Sequence, residues 1–331
     1  MENMENPVLV QVRDIKKYFP VGKSLFGKSR KFARAVDGVS FNVAKGETLG
    51  IVGESGSGKT TLARLILRLI EPTSGVVYFN NQNIFKLNKK QMRKLRTQMQ
   101  MIFQDPMASL NPRKKVRQTI EQVFKLHTSL SGEELHDKVV DLLETVGLTP
   151  PEMFLERYPH ELSGGQRQRV CIARAIALHP TLLIADEPVS ALDVSIRGQI
   201  VNLLMDIYSK RAGEMAYIII SHDIALVNSM CKNILVMYLG RVVEMGEVSE
   251  VIKKPLHPYT QMLISAVPVP DPEITRTRKR MLVGGEIPSP INPPSGCHFH
   301  PRCPYATEEC KIKVPQQIEV DKRLVFCHLY S

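Results

Sequence analysis

Apolar and polar residues alternate over residues 8–12 and 39–43 with the period of half-buried strands, which predicts a small antiparallel layer at the front of the chain. The run Thr48-Leu49-Gly50-Ile51-Val52 then predicts a strand. Residues 62–70 repeat with a helical period, stopped by Glu71-Pro72-Thr73-Ser74-Gly75, and residues 76–79 read as a short strand. A strand is expected over 99–103. Helical patterning covers 116–147, with Ser131 and Glu134 spaced as a capping box and Gly147 with Pro150 as the stop. A further helix running to about Leu178 precedes a short buried strand over 181–185, and 216–220 reads as another. The sum is an α/β chain with a helical insert. Between the first two strands, Tyr18-Phe19-Pro20 opens a basic, Gly-containing stretch to Arg34 that reads as a long loop, whose aromatic either stacks on a base or fills the core of the layer.

Composition narrows the class. With 331 residues, 43% of them hydrophobic, the chain is globular and large enough for one sizeable domain plus an appendage. Residues 1–19 carry acids and no apolar core, and no run approaches the roughly 18 apolar residues of a membrane span, so neither a signal peptide nor a span is expected and folding in the cytosol is. A net charge of +11 suits nucleotides, nucleic acid or an anionic membrane face without choosing among them. The helix expected over 88–97 sets Lys89, Lys90, Arg93, Lys94 and Arg96 around Leu87, Met92 and Leu95; this is a solvated basic face or a nucleic-acid contact, and the first is the plainer reading. Six cysteines in a cytosolic chain argue against a disulfide framework.

The chemistry concentrates at strand ends. Gly53-Glu54-Ser55-Gly56-Ser57-Gly58-Lys59-Thr60-Thr61 follows the strand at 48–52 and opens a helix, the context that a phosphate loop requires. Its glycines let backbone N–H groups close on a phosphate, the helix N-terminus adds positive dipole, Lys59 reaches the terminal phosphates, and the Thr60 hydroxyl is placed for Mg²⁺. Leu162-Ser163-Gly164-Gly165-Gln166 precedes a second helix and offers a second set of N–H groups to an anion. Asp186 and Glu187 close a buried strand; one acid can orient Mg²⁺ and the other can act as general base on a water attacking the γ-phosphate, although such a pair also serves as helix caps. His222 ends the strand at 216–220, where it can hold a γ-phosphate, cap a helix or simply pack.

The order of these motifs, with Gln104 after a strand and Ser190-Ala191-Leu192-Asp193 after the acids, resembles the nucleotide-binding subunit of an ABC transporter. The resemblance implies a P-loop NTPase cassette that hydrolyses ATP with Mg²⁺. Tyr18 then stacks on adenine, Gln104 touches Mg²⁺ and faces the membrane subunits, Asp186 assists Mg²⁺, Glu187 is the catalytic base and His222 contacts the γ-phosphate. Ser163, Gly164, Gly165 and Gln166 cap the ATP of an opposite chain, and Asp193 crosses the dimer interface. Ser109-Leu110-Asn111-Pro112-Arg113, Arg157-Tyr158-Pro159-His160, His257-Pro258-Tyr259-Thr260 and the late cysteines narrow the similarity to the dipeptide and oligopeptide import ATPases, most like the second ATPase subunit of a dipeptide importer. That implies a second, related ATPase as partner (a homodimer being the other arrangement), two transmembrane permease subunits, a substrate-binding protein acting indirectly, no nucleic acid, and a peripheral place on the cytoplasmic face of the membrane. The expected domains are a cassette over residues 1–266, with a helical subdomain at about 105–165, and a Pro-rich linker with a cysteine-rich extension over 267–331.

Cys297, Cys303, Cys310 and Cys327 fall in a Pro-rich tail with little apolar content, which suggests a metal centre in place of a core. Their spacing lacks C-x₂₋₄-C pairs, and His298, His300 and His328 are at hand, so zinc, an iron–sulfur cluster and no metal all remain open. The family resemblance favours a four-iron, four-sulfur (4Fe-4S) cluster, with Zn²⁺ as the alternative. Cys171 and Cys231 lie in apolar patterns and read as packing residues. Because the tail follows every nucleotide motif, ATP binding is expected to survive loss of its cysteines. Other classes fit less well: an ABC importer ATPase for a different solute shares the same motifs, a DNA-repair ABC ATPase needs a longer insert, translation-type ABC proteins usually carry two cassettes, and a GTPase needs an acid that Asn88-Lys89-Lys90-Gln91 lacks.

Overall fold

A computed structural model describes residues 7–22, 31–267 and 284–331; Pro268, Pro270 and Pro272 of the expected linker lie outside these. The chain forms two compact units, one from Pro7–Lys86 and Ile219–Ser331, the other from Leu87–Ile218. The described part of the tail belongs to the unit that carries the Gly53–Thr61 loop.

In the first unit β1 (Val8–Val21) pairs antiparallel with β2 (Lys31–Ala44). Tyr18 faces Arg34 and Pro20 faces Phe32, so the flanks of the stretch read as a loop are strand, and only residues 23–30 of it lie outside the described chain. Alternation fails there because Phe19, Val21 and Phe32 are all exposed, which leaves no buried face to write a period of two. β3 (Thr48–Val52) is buried throughout and runs into the phosphate loop. The helix after it, α1 (Lys59–Ile66), is shorter than the apolar pattern suggests, because Arg68 turns into the left-handed region at φ 47°. β4 (Ser74–Phe79) and β5 (Gln82–Asn83) complete a four-stranded antiparallel sheet of order β2-β1-β4-β5.

The second unit begins with α2 (Lys89–Leu95), which buries Met92 and Leu95, turns its cations outward and is closed by a reciprocal Asn88/Gln91 cap. β6 (Met99–Ile102) is followed by α3 (Pro106–Ser109), α4 (Val116–His127), α5 (Gly132–Thr145), α6 (Glu152–Leu155) and α7 (Gly164–Ile176), the helical insert. Ser131 is the N-cap of α5 as expected, but its side chain makes no capping hydrogen bond. Gly147 (φ 71°) does end that helix, its N–H donating to Glu144 O at 2.8 Å. β7 (Leu182–Asp186) is fully buried and pairs parallel with β6, and α8 (Val194–Ser209) follows. β8 (Ala216–Ser221) starts in this unit and ends in the other; Ile218, Ile219 and Ile220 are all buried, each contributing roughly 1.5–3 kcal/mol of apolar burial.

Back in the first unit come α9 (Ile224–Met230), β9 (Asn233–Tyr238), β10 (Arg241–Glu247), α10 (Val248–Lys253) and α11 (Pro258–Ser265). β3 pairs parallel with β9, and β9 antiparallel with β10. The tail adds α12 (Glu308–Ile312), β11 (Ile318–Val320) and β12 (Arg323–Val325). β12 pairs with β10, Glu244 opposite Val325, so the tail extends the sheet instead of folding around a metal alone. Val325 and Cys327 pack on Leu256 with Ile318, Val320 and Tyr330 alongside. Beneath them Arg323 approaches the fully buried Glu244 at 3.6 Å, while Leu256 and His257 N–H groups donate to the same carboxylate at 3.1 and 2.9 Å.

Candidate functional site

At the end of β3 the chain enters a loop that only glycine permits at two points. Gly53 has φ 154° and a Cβ there would lie 2.2 Å from Met237 O; Gly58 has φ 103° and its Cβ would lie 2.1 Å from Ala35 O. Between them Ser57 N–H donates to Glu54 O at 3.1 Å, while Ser55 and Gly56 face solvent. Lys59 is buried, and its Nζ donates to Gly53 O at 2.7 Å and Glu54 O at 2.9 Å. The ammonium therefore crosses the concave side of the loop. α1 begins at Lys59 with no acid in its first turn, and Thr60 and Thr61 are half-buried within that turn. The arrangement suits an anion: a cation, a helix N-terminus and a glycine-lined turn converge. In the same unit His222 is exposed directly after β8, and Asp223 caps α9 by accepting from Ala225 and Leu226 N–H.

Tyr18 belongs to β1 rather than to a loop. Its hydroxyl is hydrogen-bonded to Asp37, and the Arg34 guanidinium lies 5.7 Å from its ring centroid. Burial, then the Asp37 contact, pushes the phenol up to about 12. Asp37 is in turn gripped by Arg241, at 2.7 Å; burial pulls its carboxyl up, yet the Tyr18 and Arg241 bonds outweigh this and hold it below the usual range.

The other unit brings together two residues singled out separately. Gln104 follows β6, Glu187 follows β7, and Gln104 Nε2 donates to Glu187 Oε2 at 3.1 Å. Asp186, the last residue of β7, is buried. Glu187 stands at φ 45°, in the left-handed region that is uncommon for any residue with a Cβ; Ser190 N–H and Oγ donate to its carbonyl. The Ser163–Gln166 motif is a reciprocal cap: Ser163 Oγ accepts from Gln166 N–H at 3.2 Å and Gln166 Oε1 accepts from Ser163 N–H at 2.9 Å. One N–H expected to be bare is thus already engaged. A Cβ on Gly165 would lie 2.7 Å from Ile196 Cγ2, and Asp193 is exposed at the N-cap of α8 without a side-chain capping bond.

Among the described residues, no group of three or more His, Cys, Asp and Glu side chains is disposed to hold one metal ion. The four tail cysteines nevertheless lie within electrostatic reach of one another. Burial pushes the Cys297 and Cys327 thiols up to about 11, and the other tail cysteines add to the rise. The Cys297 N–H also donates to Cys310 O at 2.8 Å. The donor chemistry suits a cluster; the disposition of the side chains does not by itself form one. His298 and His300 direct Nδ1 to the carbonyls of Leu239 and Cys297, and His328 Nε2 contacts Lys313 O. Cys171 and Cys231 are buried, with burial raising both thiols, Cys231 to about 12, as inert packing residues require.

Comparison with known proteins gives the site its context. The ABC transporter family matches residues 36–190, and the C-terminal region of oligopeptide/dipeptide transporters matches 243–310. The oligopeptide transport ATP-binding protein AppF of Bacillus subtilis is 49% identical over 98% of both chains. The chain belongs to the ATP-binding proteins of oligopeptide and dipeptide transporters. Within this family, the dipeptide transport ATP-binding protein DppF of Haemophilus influenzae is 45% identical over 98% of both chains. The dimeric structure of the ATP-binding cassette MJ0796 in a post-hydrolysis state bound to ADP and Pi superposes with a TM-score of 0.64, at 30% identity over 72% of this chain and 99% of that one. The cassette is accordingly an ABC-type ATPase with an α/β P-loop fold and an antiparallel sheet. No described helix is long and apolar enough to cross a membrane.

Residues that sequence reasoning passed over also reach the phosphate loop of this ATPase. Tyr259 Oη accepts from Glu54 N–H at 2.8 Å, and Arg302 pairs with the Glu54 carboxylate. Tyr259 stands in the His257-Pro258-Tyr259-Thr260 string, whose residues carry no local sign of the loop. For Arg302, which lies 248 positions from its partner, no local signal existed.

Proposed function

We propose that this chain hydrolyses ATP to energise the import of oligopeptides or dipeptides across the cytoplasmic membrane. The observation that carries the reading is similarity to AppF over nearly the whole length of both chains, tail included. In this reading Lys59 and the loop residues Gly53, Ser55, Gly56, Ser57, Gly58, Thr60 and Thr61 receive the phosphates, and Tyr18 stacks on the base. Glu187 takes the proton from the attacking water, Gln104 reaches Mg²⁺ and faces the membrane subunits, and His222 contacts the γ-phosphate. Mg²⁺ supplies charge neutralisation when bound, and Thr60, Gln104 and Asp186 offer the oxygen donors it prefers. Ser163–Gln166 and Asp193 serve the nucleotide held by a second cassette, a related ATPase, and two permease subunits anchor the pair peripherally at the membrane. The functional division at residues 266/267 belongs to this proposal. A dimeric relative bound to ADP and Pi supports the paired arrangement.

The test is ATP turnover. The dilute isolated chain should hydrolyse ATP slowly, and the rate should climb steeply once the matching ATPase and membrane subunits are added, since each chain holds half of each site. Equal rates for dilute monomer and full assembly would remove the trans-site reading.

We further infer that Cys297, Cys303, Cys310 and Cys327 hold a 4Fe-4S cluster of structural role. Four thiols within one short, Pro-rich segment and the family resemblance are what favour it. Anaerobically purified protein should be brown, with about four iron and four sulfide per chain, and any one Cys→Ser change should bleach it while Cys171→Ser should not. Stoichiometric zinc without iron would replace the cluster by Zn²⁺ on the same ligands, and metal-free protein would end the metal reading.

A further inference from the structure

Glu54, within the phosphate loop, is held from the far end of the sequence. Arg302 Nη1 donates to its Oε2 at 2.9 Å and Nη2 to its Oε1 at 3.2 Å, a fork on a fork. Its main-chain N–H donates to Tyr259 Oη at 2.8 Å. Its carbonyl accepts from Lys59 Nζ at 2.9 Å. The residue that engages Lys59 with one group is therefore gripped at its other two by Tyr259 and Arg302.

The grip is rigid. The Arg302 side chain is 8% exposed. Its guanidinium lies 5.8 Å from the ring centroids of both Tyr238 and Phe299. Those two rings and Tyr259 pack on one another at centroid distances of 4.6, 5.2 and 5.4 Å, and all three are buried. Two tail cysteines bracket the turn that presents Arg302: His300 N–H donates to Cys297 O at 3.1 Å and Cys303 N–H to His300 O at 3.3 Å.

We propose that Arg302 and Tyr259 are positioning residues for the phosphate loop, through which the cysteine-bearing tail sets the affinity for nucleotide. This rests on reading Gly53–Thr61 as the nucleotide loop. The physical reason is twofold. The Tyr259 and Arg302 bonds fix the Glu54 peptide whose carbonyl engages Lys59, and the guanidinium neutralises a carboxylate that would otherwise repel a polyphosphate bound to the same loop.

The experiment is titration of full-length chain with a fluorescent ATP analogue, with KM and kcat measured in the assembled transporter. Arg302→Ala should raise the dissociation constant and KM on the order of tenfold, within the range of coupling seen for contacting charged pairs, with kcat at saturating ATP little changed. Arg302→Lys should recover part of the loss, retaining charge without the fork. Glu54→Gln added to Arg302→Ala should recover affinity, because the unpaired carboxylate is gone; a merely structural role of Arg302 would show no such rescue. If Arg302→Ala does not fold, the near-isosteric Tyr259→Phe decides, with a severalfold weaker affinity expected from an orphaned Glu54 N–H. Wild-type affinity in folded Arg302→Ala or in Tyr259→Phe, or no rescue by Glu54→Gln, would overturn the proposal alone. Wild-type protein that binds no nucleotide would overturn it together with the reading on which it rests.

Discussion

Replacing Glu187 by Gln should slow ATP hydrolysis by about 10²–10⁴-fold while leaving nucleotide affinity nearly intact, the range expected when a general base is lost from an otherwise assembled site. The geometry makes the substitution clean. Gln104 Nε2 donates to Glu187 Oε2 at 3.1 Å, and a glutamine carbonyl at that position can accept the same bond. Position persists and basicity goes. Steady-state turnover with a parallel binding titration checks this, and wild-type turnover would remove Glu187 from its role.

The second large effect concerns binding. Lys59→Ala should weaken ATP affinity by roughly ten- to a hundredfold, since one charged hydrogen-bonding group contributes about 1.5–3 kcal/mol. The loop itself adds to the loss. Lys59 Nζ ties the carbonyls of Gly53 and Glu54 at 2.7 and 2.9 Å, so truncation also releases the main chain that shapes the cradle. Affinity unchanged by titration would contradict the phosphate-loop reading.

The parts legible in the sequence were those where one local pattern suffices. The strand-loop-helix around Gly53–Lys59 could be read because glycine is demanded at Gly53 and Gly58, where contacts leave no room for a Cβ, as at Gly58 against Ala35 O. The buried strands at 182–186 and 216–221 could be read because every side chain in them is buried, which leaves an apolar run up to the polar residue, Asp186 or Ser221, at each strand's end. Patterns failed where burial did not follow the backbone. The ends of β1 and β2 pair through main-chain bonds while Phe19, Val21 and Phe32 remain exposed, so a ladder existed without alternation. The hairpin joining β11 to β12 turns on Asp321 and Lys322, both with positive φ, a pair far from the Asn-Gly usually read as such a turn.

The site was legible as a set of motifs, less so as an arrangement. Gln104 and Glu187 were named for separate reasons, and their hydrogen bond joins the ends of two neighbouring parallel strands. The Ser163–Gln166 motif reads as open N–H groups in the sequence, whereas Ser163 and Gln166 cap each other. The tail is the least legible part: its prolines and few apolar residues give no sign that β12 joins the sheet at β10 or that Arg302 holds Glu54. Contacts closing over 248 positions leave no trace in local spacing.

The most direct measurement is ATP-driven uptake of a labelled peptide into sealed vesicles carrying this chain in the proposed assembly, with a second ATPase, membrane subunits and a binding protein, ATP being enclosed. Uptake should be present with the wild-type chain and nearly absent with Glu187→Gln at equal protein content. Peptide uptake that continues at the wild-type rate in the Glu187→Gln assembly, with this chain's own ATP turnover silenced, would contradict the account.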